Sequence, residues 1–557
     1  MSIGCFAENL DSIANSEKWK ALLHIKDENT SEINDINFFA SKQKSALVEL
    51  EYLVSNSTCE NVCKFPARYK YISEHIDLNI SFSHCQEFQA YLQLFDGNSA
   101  SIVFASPFLE SPTSYFGHTF IKINNSNNLY FSPTLGYAAE LPPTIGMYDL
   151  FSKGLFGGFN GKYMYSPYYM LIESYNITEQ RTLYEYELTL TSKEIQDMIW
   201  HSFELQNINI PYKFFTENCA YEIFWLLQNA TPSKQLISEL KSYVVPFETI
   251  EVLRRNNMII SESVNPALID KIYFTYNDLS GSEKEFFEIL KNSKNKKNLL
   301  SDSNLSENTK NKMSEILNGY YDILFKKFKT SYADYFDVKN LRYSTSNHLI
   351  KTHYEPKKPH AIEVGFSAGR QPMNKFYAIV KPALFDRFEM RDNMISESTL
   401  QLLNFGVSGF DGNTQIENID IIKLESFNKQ FAFYEPNSFR FYGGFDRSFQ
   451  DSSIHPLLEL GIGVTKGYDN ISAYGIFQLA TYPTEEAINM QILAGTSFWI
   501  SNYHVVLDSK HNIFESHGSA HKEYKINLLV PLLKSQNVRL GYDFLNDTTK
   551  IGFEYKF

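Results

Sequence analysis

The stretch Pro211–Gln228, PYKFFTENCAYEIFWLLQ, decides the fold of the first half of the chain. Thr216, Glu217 and Asn218 are residue types that cap helix starts, and Ile223, Phe224, Leu226 and Leu227 have the spacing of a buried helix face. A helix is therefore predicted to begin at Cys219. On its first turn, unpaired backbone N–H groups and the positive end of the helix dipole favour a thiolate over a thiol. The plain alternative is a small apolar residue packing a helix start. A second stretch, Ser111–Ile123, SPTSYFGHTFIKI, turns the reading toward chemistry, because Gly117-His118 opens an alternation of His118, Phe120 and Lys122 with Thr119, Ile121 and Ile123. A cysteine at a helix start and a histidine at a strand head are the nucleophile and base of a thiol acyl-transfer enzyme. Cys219 and His118 are thus the expected catalytic pair, the imidazole taking the thiol proton and returning it to the leaving group.

Upstream, Asn9–Glu51 reads as polar and helical, with apolar patches at Trp19, Leu22, Leu23 and Ile25 and at Phe38, Phe39, Leu47, Leu50 and Leu53. It is expected to pack on the enzyme domain. CKFPARYKYI, Cys63–Ile72, places Pro66 and Arg68 in a turn before helix that ends near Leu94. Ser101–Ala105, His118–Ile123, Leu129–Ser132 and Leu183–Leu190 read as strands, and Ser192–Gln206 as helix. The glycine- and tyrosine-rich Gly154–Tyr169 is expected to be a loop that passes close to a ligand or packs on the surface. After the Cys219 helix, Val244–Ile260 reads as a turn and short helix, Asp278–Lys329 as solvated helices, and Tyr343–Pro359 as a polar connector.

From Ala361 to Phe557 the texture changes to segments of about ten residues that alternate apolar with polar. They are separated by Asn, Asp, Gly, Ser or Pro clusters and number about twelve, the length and pattern of an antiparallel transmembrane barrel. In the last segment Ile551, Phe553, Tyr555 and Phe557 fall on one face, and Gly552, Glu554 and Lys556 on the other. A soluble β-sandwich or barrel has the same period. The expected fold class is therefore α+β: residues 8–55 a helical N-terminal segment, 56–265 a cysteine acyltransferase domain, 266–355 a helical connector and 356–557 a transmembrane β-barrel.

Composition agrees with this division. A chain of 557 residues exceeds one core, and its 15% aromatic content suits a large enzyme core or the girdles of a barrel. The net charge of −13 argues against nucleic acid as a partner. No run of eighteen apolar residues predicts a transmembrane helix. Residues 1–7 resemble the remnant of a signal peptide, with Cys5-Phe6-Ala7 before Glu8 as the cleavage site. With Cys5 removed and Cys219 catalytic, Cys59, Cys63 and Cys85 remain, enough for one disulfide. Cys63–Cys85 is the favoured pair, although the count does not choose it. No metal site is expected: His75, His84, His118 and His201 lack ligand spacing, Cys59 and Cys63 lack a second pair, and His517 and His521 lie in a loop-like stretch. No phosphate-binding loop or other cofactor motif is present either.

The motifs CKFPARY (Cys63–Tyr69), SPTSYFGHTFIKI, GGFNGKY (Gly157–Tyr163), YEYELTL (Tyr184–Leu190), YKFFTENCAY (Tyr212–Tyr221) and VVPFETIEVLR (Val244–Arg254) resemble the N-terminal extracytoplasmic domain of the lipoprotein intramolecular transacylase (Lnb) family. The resemblance covers roughly residues 55–260. It implies that Cys219 and His118 are the catalytic pair, and that an acyl chain moves through a thioester from a lipoprotein's diacylglyceryl group to its N-terminal amine. The histidine precedes the cysteine, the order of a circularly permuted NlpC/papain-like fold. The chain departs from members that carry transmembrane helices by ending in a barrel.

An even-stranded barrel has both ends on the periplasmic side, so a domain attached before its first strand lies in the periplasm. The expected location is the outer membrane, with lipoprotein or phospholipid acyl esters as substrate and the barrel assembly machinery as a partner in insertion. Asn218, Ser132 and Lys162 are candidates to orient the histidine or contact substrate, with capping or loop hydrogen bonding as the alternative. The backbone N–H groups of Cys219 and Ala220 are candidate oxyanion donors. Two rival readings remain: a peptidoglycan peptidase or amidase of NlpC type, and a non-enzymatic barrel protein with a periplasmic binding domain.

Overall fold

The computed structural model describes residues 10–26, 30–108, 117–125, 128–142, 144–146, 149, 152–154, 157–241, 244–341, 358, 360–369, 374–389, 396–410, 412–431, 433–447, 453–468, 470–501, 503–516, 522–533 and 535–557. Residues 1–7 with Cys5, expected as a signal-peptide remnant, residues Ser111–Phe116, most of the Tyr343–Pro359 connector, and His517 and His521 lie outside the described residues. The chain divides into two compact units, Met1–Ile272 with Gly281–Asn347, and Tyr273–Ser280 with His348–Phe557.

The first unit is α+β. Its helices include α1 (Glu17–Leu22), α2 (Ala46–Ser55), α3 (Cys59–Lys64), α4 (Pro66–Ser73), α5 (Gln86–Leu92), α6 (Ser192–Glu204), α7 (Cys219–Ala230) and α8 (Pro246–Arg255). Its strands are β1 (Ser99–Ala105), β2 (His118–Asn124), β3 (Pro133–Ala139), β4 (Phe159–Pro167), β5 (Leu183–Leu188), β6 (Ile210–Tyr212) and β7 (Ile259–Asn265). They form one sheet in the order β6-β4-β3-β2-β1-β5-β7, antiparallel at every pairing.

The N-terminal helices pack where their patterning places them. Trp19, Phe38, Phe39, Leu50 and Leu53 are fully buried, and Trp19 Nε1 donates to the Ala46 carbonyl at 2.9 Å. Arg68 of α4 crosses to α2 and α6 at once, meeting Glu49 at 2.7 Å and Glu204 at 3.2 Å. A buried pair of this kind fixes which helices adjoin, since losing either partner strands a charge in the core. Cys63 and Cys85 are joined by a disulfide across α3 and the start of α5.

Four local expectations change. Pro66 and Arg68, expected in a turn, lie in α4, Pro66 on its first turn. Leu129–Phe131 is a turn of 3-10 helix capped by Asn128, whose side chain accepts from Tyr130 N, and the strand begins only at Pro133. The second half of the Gly154–Tyr169 stretch is β4, which pairs with β3 over Pro133–Ala139. The end of the Val244–Ile260 stretch, read as a turn and short helix, begins the edge strand β7 (Ile259–Asn265) beside β5. β4 and β7 gain their strand character from tertiary pairing, whereas Asn128 caps a local turn.

The second unit is a closed β-barrel. β8 (Ala361–Gly369), β9 (Lys375–Lys381), β11 (Ser396–Phe410), β12 (Asn413–Gln430), β13 (Ser438–Asp446), β14 (His455–Tyr468), β15 (Ile471–Tyr482), β16 (Ala487–Ile500), β17 (Tyr503–Glu515), β18 (Lys522–Leu533), β19 (Gln536–Asp543) and β20 (Thr548–Lys556) make twelve antiparallel wall strands. β20 pairs with β8, and β9 pairs with β11, which closes the ring. The short β10 (Ala383–Phe385) follows β9 after Pro382 and pairs with β11 as well. Alternation sorts the side chains. In β15 Ser472, Tyr474, Ile476, Gln478, Ala480 and Tyr482 are buried, while Ile471, Phe477 and Leu479 are exposed. Leu458, Leu460, Ile462 and Val464 of β14 and Ile551, Phe553 and Tyr555 of β20 continue that exposed apolar exterior. An apolar outer band around a polar interior is the solution a barrel needs in lipid. Among the described residues no helix is long and apolar enough to cross a membrane.

Candidate active site

Asn218 is the N-cap of α7. Its Oδ1 accepts from Ala220 N at 3.0 Å and Tyr221 N at 3.2 Å, and its Nδ2 donates to the carbonyls of Val244 at 2.6 Å and Phe214 at 3.0 Å. Every residue of α7 is buried, and the helix lies against β2 and β3 on one side and α6 on another. Cys219 is therefore presented by a helix with no solvent face. The backbone N–H groups of Thr119, the residue after His118 in β2, of Ala220 and of Cys219 itself favour its thiolate. The fold thus brings the helix start and the strand head together.

His118 owes its place to Gly117. That glycine has φ +93°, and a Cβ there would lie 2.4 Å from the Phe104 ring and 2.6 Å from the Ala105 carbonyl oxygen. Only glycine tolerates both constraints. His118 then pairs across β1 with Ala105. Its ring is half-buried, 5.7 Å from Tyr175 and 6.3 Å from Phe120 between centroids.

The electrostatics correct one expectation. Burial pushes the Cys219 thiol up to about 11, outweighing the Thr119 N–H and the other donors that favour the thiolate. Burial, aided by the positive charge of Arg181, pushes the His118 imidazole down to about 3. At rest the Cys219 thiol and the His118 imidazole are each neutral, because desolvation penalises both charged forms more than the helix start rewards the thiolate.

The three supporting candidates do other things. Asn218 is engaged in the cap, Ser132 Oγ accepts from Asn125 N at 3.1 Å, and Lys162 pairs with Glu140 at 2.9 Å. None of the three touches His118 among the described contacts. The Ala220 N–H, a candidate oxyanion donor, is shared with the Asn218 cap.

Arg181 is the site residue that sequence reading passed over. It is buried, donates from Nε to the Ser106 carbonyl at 2.6 Å and from Nη2 to the Ala105 carbonyl at 3.0 Å, and stacks 4.8 Å from the Tyr175 ring centroid. It thereby holds the strand end opposite His118 and the aromatic ring beside it. A lone arginine ahead of an apolar strand was its one signal. One turn along α7, Glu222 accepts from the Tyr163 hydroxyl at 3.0 Å, and burial pushes its carboxyl up to about 8. Behind it His24 Nε2 and His201 Nε2 lie 3.1 Å apart in the core. The one cluster of metal-ligand types among the described residues is Cys63, His84 and Cys85. Its two sulfurs are bonded to each other, so it offers no thiolate to an ion.

A family model described as the Lnb N-terminal periplasmic domain matches residues 87–256. Two others, each described as a domain of unknown function, match residues 11–75 and 354–555. No curated protein matches the chain. Solved structures similar to it include KdgM porin, at TM-score 0.22 and 10% identity over 35% of this chain and 99% of that one. A mutant of the Rh. blastica porin matches at TM-score 0.16 and 8% identity over 36% of this chain and 98% of that one.

Proposed function

We propose, from the premise that residues 87–256 are an Lnb N-terminal periplasmic domain carried on an outer-membrane barrel, that this protein is a periplasm-facing thiol acyltransferase. The observation that supports the reading is the packing of the Cys219 helix α7 on the His118 strand β2, with the Thr119 N–H favouring the Cys219 thiolate. His118, neutral at rest, removes the thiol proton as the sulfur attacks the carbonyl carbon of an acyl ester. The carbonyl oxygen takes the negative charge, with the Thr119 and Cys219 N–H groups as its donors. Collapse breaks the carbon–oxygen bond, the imidazolium returns its proton to the departing alcohol, and a thioester remains on Cys219. An amine then attacks the thioester, loses its proton to His118, and leaves as an amide while the thiol is restored.

The substrate class is a lipoprotein or phospholipid acyl ester, which a barrel-anchored periplasmic domain meets at the membrane surface. The barrel assembly machinery is the expected partner for insertion. We read the first unit as a permuted NlpC/papain-like fold, supported by a cysteine helix packed on an antiparallel sheet whose histidine strand precedes it in the chain. The test is incubation of the full chain with labelled phospholipid or lipopeptide, and separately with muropeptides, followed by mass spectrometry of the Cys219 peptide. Aliphatic acyl mass on Cys219, absent in Cys219→Ser, is the expected result. Cleaved muropeptides without a lipid adduct would replace this reading with the peptidase.

A further inference from the structure

The barrel interior holds more than wall side chains. After Pro382 the chain continues along β11 as β10, and past Phe385 it leaves the wall and turns at Arg387–Glu389 as a single 3-10 turn. That turn touches strands on opposite sides of the ring. Arg387 N donates to Thr399 Oγ1 of β11 at 3.3 Å, while the adjacent Phe388 ring lies 5.4 Å from His504 of β17, six strands away around the wall. Between those walls the Arg387 guanidinium sits 4.4 Å from the Phe427 ring centroid of β12 and donates to Tyr474 Oη of β15 at 3.1 Å. Asp386 accepts from Arg539 of β19 at 2.5 Å. The segment 386–388 therefore reaches β11, β12, β15, β17 and β19 and bridges the lumen.

A second bridge lies beside it. Glu397 of β11 accepts from Ser472 of β15 at 3.0 Å and from Ser497 of β16 at 2.6 Å. Asp386, Arg387, Glu397, Ser472, Ser497 and His504 are all buried. Lumen side chains of a water-filled pore face solvent, whereas these are paired with one another across the ring.

We propose that the barrel is a stoppered anchor rather than a diffusion channel, its stopper being the strap 386–389 held by Arg387, Phe388 and the Asp386–Arg539 pair. The strap belongs to the same chain as the wall, so closure needs no partner. This inference stands apart from the acyltransfer reading and does not depend on it.

The test uses the full chain in planar lipid bilayers, with insertion checked by the gel-mobility shift between unheated and boiled samples. The wild type is expected to give silent bilayers, and the inserted double variant Arg387→Ala/Phe388→Ala to give discrete conductance steps. Open-pore steps from the wild type, or silence from the correctly inserted variant, would overturn the proposal. A second measurement does not require the strap variant to fold: Ser472→Cys, in a Cys59→Ala/Cys219→Ala background, is treated with a small charged methanethiosulfonate. Ser472→Cys left unmodified in the folded barrel supports a closed lumen, and rapid modification contradicts it.

Discussion

Cys219 and His118, the proposed nucleophile and base, are both electrically neutral at rest. Burial holds the thiol protonated up to about 11 and the imidazole neutral down to about 3. Iodoacetamide labelling of Cys219, followed by peptide mass spectrometry, is expected to accelerate with pH toward that thiol value, without the acid limb near 6.5 that an ordinary histidine would impose. Cys219→Ser is expected to lower acyl-adduct formation by about 10³-fold or more, with the unheated gel mobility of the barrel unchanged. Glu222 gives a prediction of opposite character. Its folded carboxyl keeps a proton up to about 8, whereas an unfolded glutamate releases it near 4.5. Between those values the unfolded state binds fewer protons, so stability falls as pH rises and levels off above the folded value. Glu222→Gln imitates the protonated form, and the melting temperature of the first unit should then vary less between pH 5 and 8 than in the wild type. At this scale the cap and strand signals in the sequence located the helix start at Cys219 and the strand start at His118. Arg181 escaped because nothing local distinguishes a buried arginine from a solvated one. Its role comes from the carbonyls of Ala105 and Ser106, which only the folded sheet brings near.

The elements show where local pattern is enough. α7 was legible because Asn218 is a strong cap and an apolar run follows it, and the same residue carries the strongest element-level prediction. Asn218→Ala removes two accepted and two donated hydrogen bonds at one helix start, and should destabilise the first unit by about 2 kcal/mol. The readout is the urea midpoint of the first unit in the detergent-solubilised full chain. Asn218→Asp, which keeps the acceptors and loses the donors, should fall between alanine and the wild type. β3 and β4 were illegible for a related reason. Their Gly, Tyr and Pro content has no periodic signal, and their strand character comes from pairing with each other and with β2. Gly117 illustrates the same limit, since the need for glycine arises from the approach of Phe104 and Ala105 on the neighbouring strand.

On the scale of the molecule, the two-part design could be read from composition alone: a helix–strand mixture up to the connector, then period-two alternation to Phe557. The ring closure between β9 and β11 could not, because the strap after β10 carries the chain off the wall before β11 returns to pair with both β9 and β10. The Cys63–Cys85 disulfide closes a loop of 22 residues in the first unit. Its reduction should lower the stability of that unit by about 3 kcal/mol, seen as a lower melting temperature in dithiothreitol, while the unheated gel mobility of the barrel stays unchanged. That same disulfide marks the surroundings in which the protein works, and there the complete burial of α7 acquires a second meaning. Peroxide attacks thiolates that it can reach. A sulfur kept protonated and largely shielded from solvent oxidises slowly in such a compartment without a reductant to rescue it, and becomes vulnerable when it ionises.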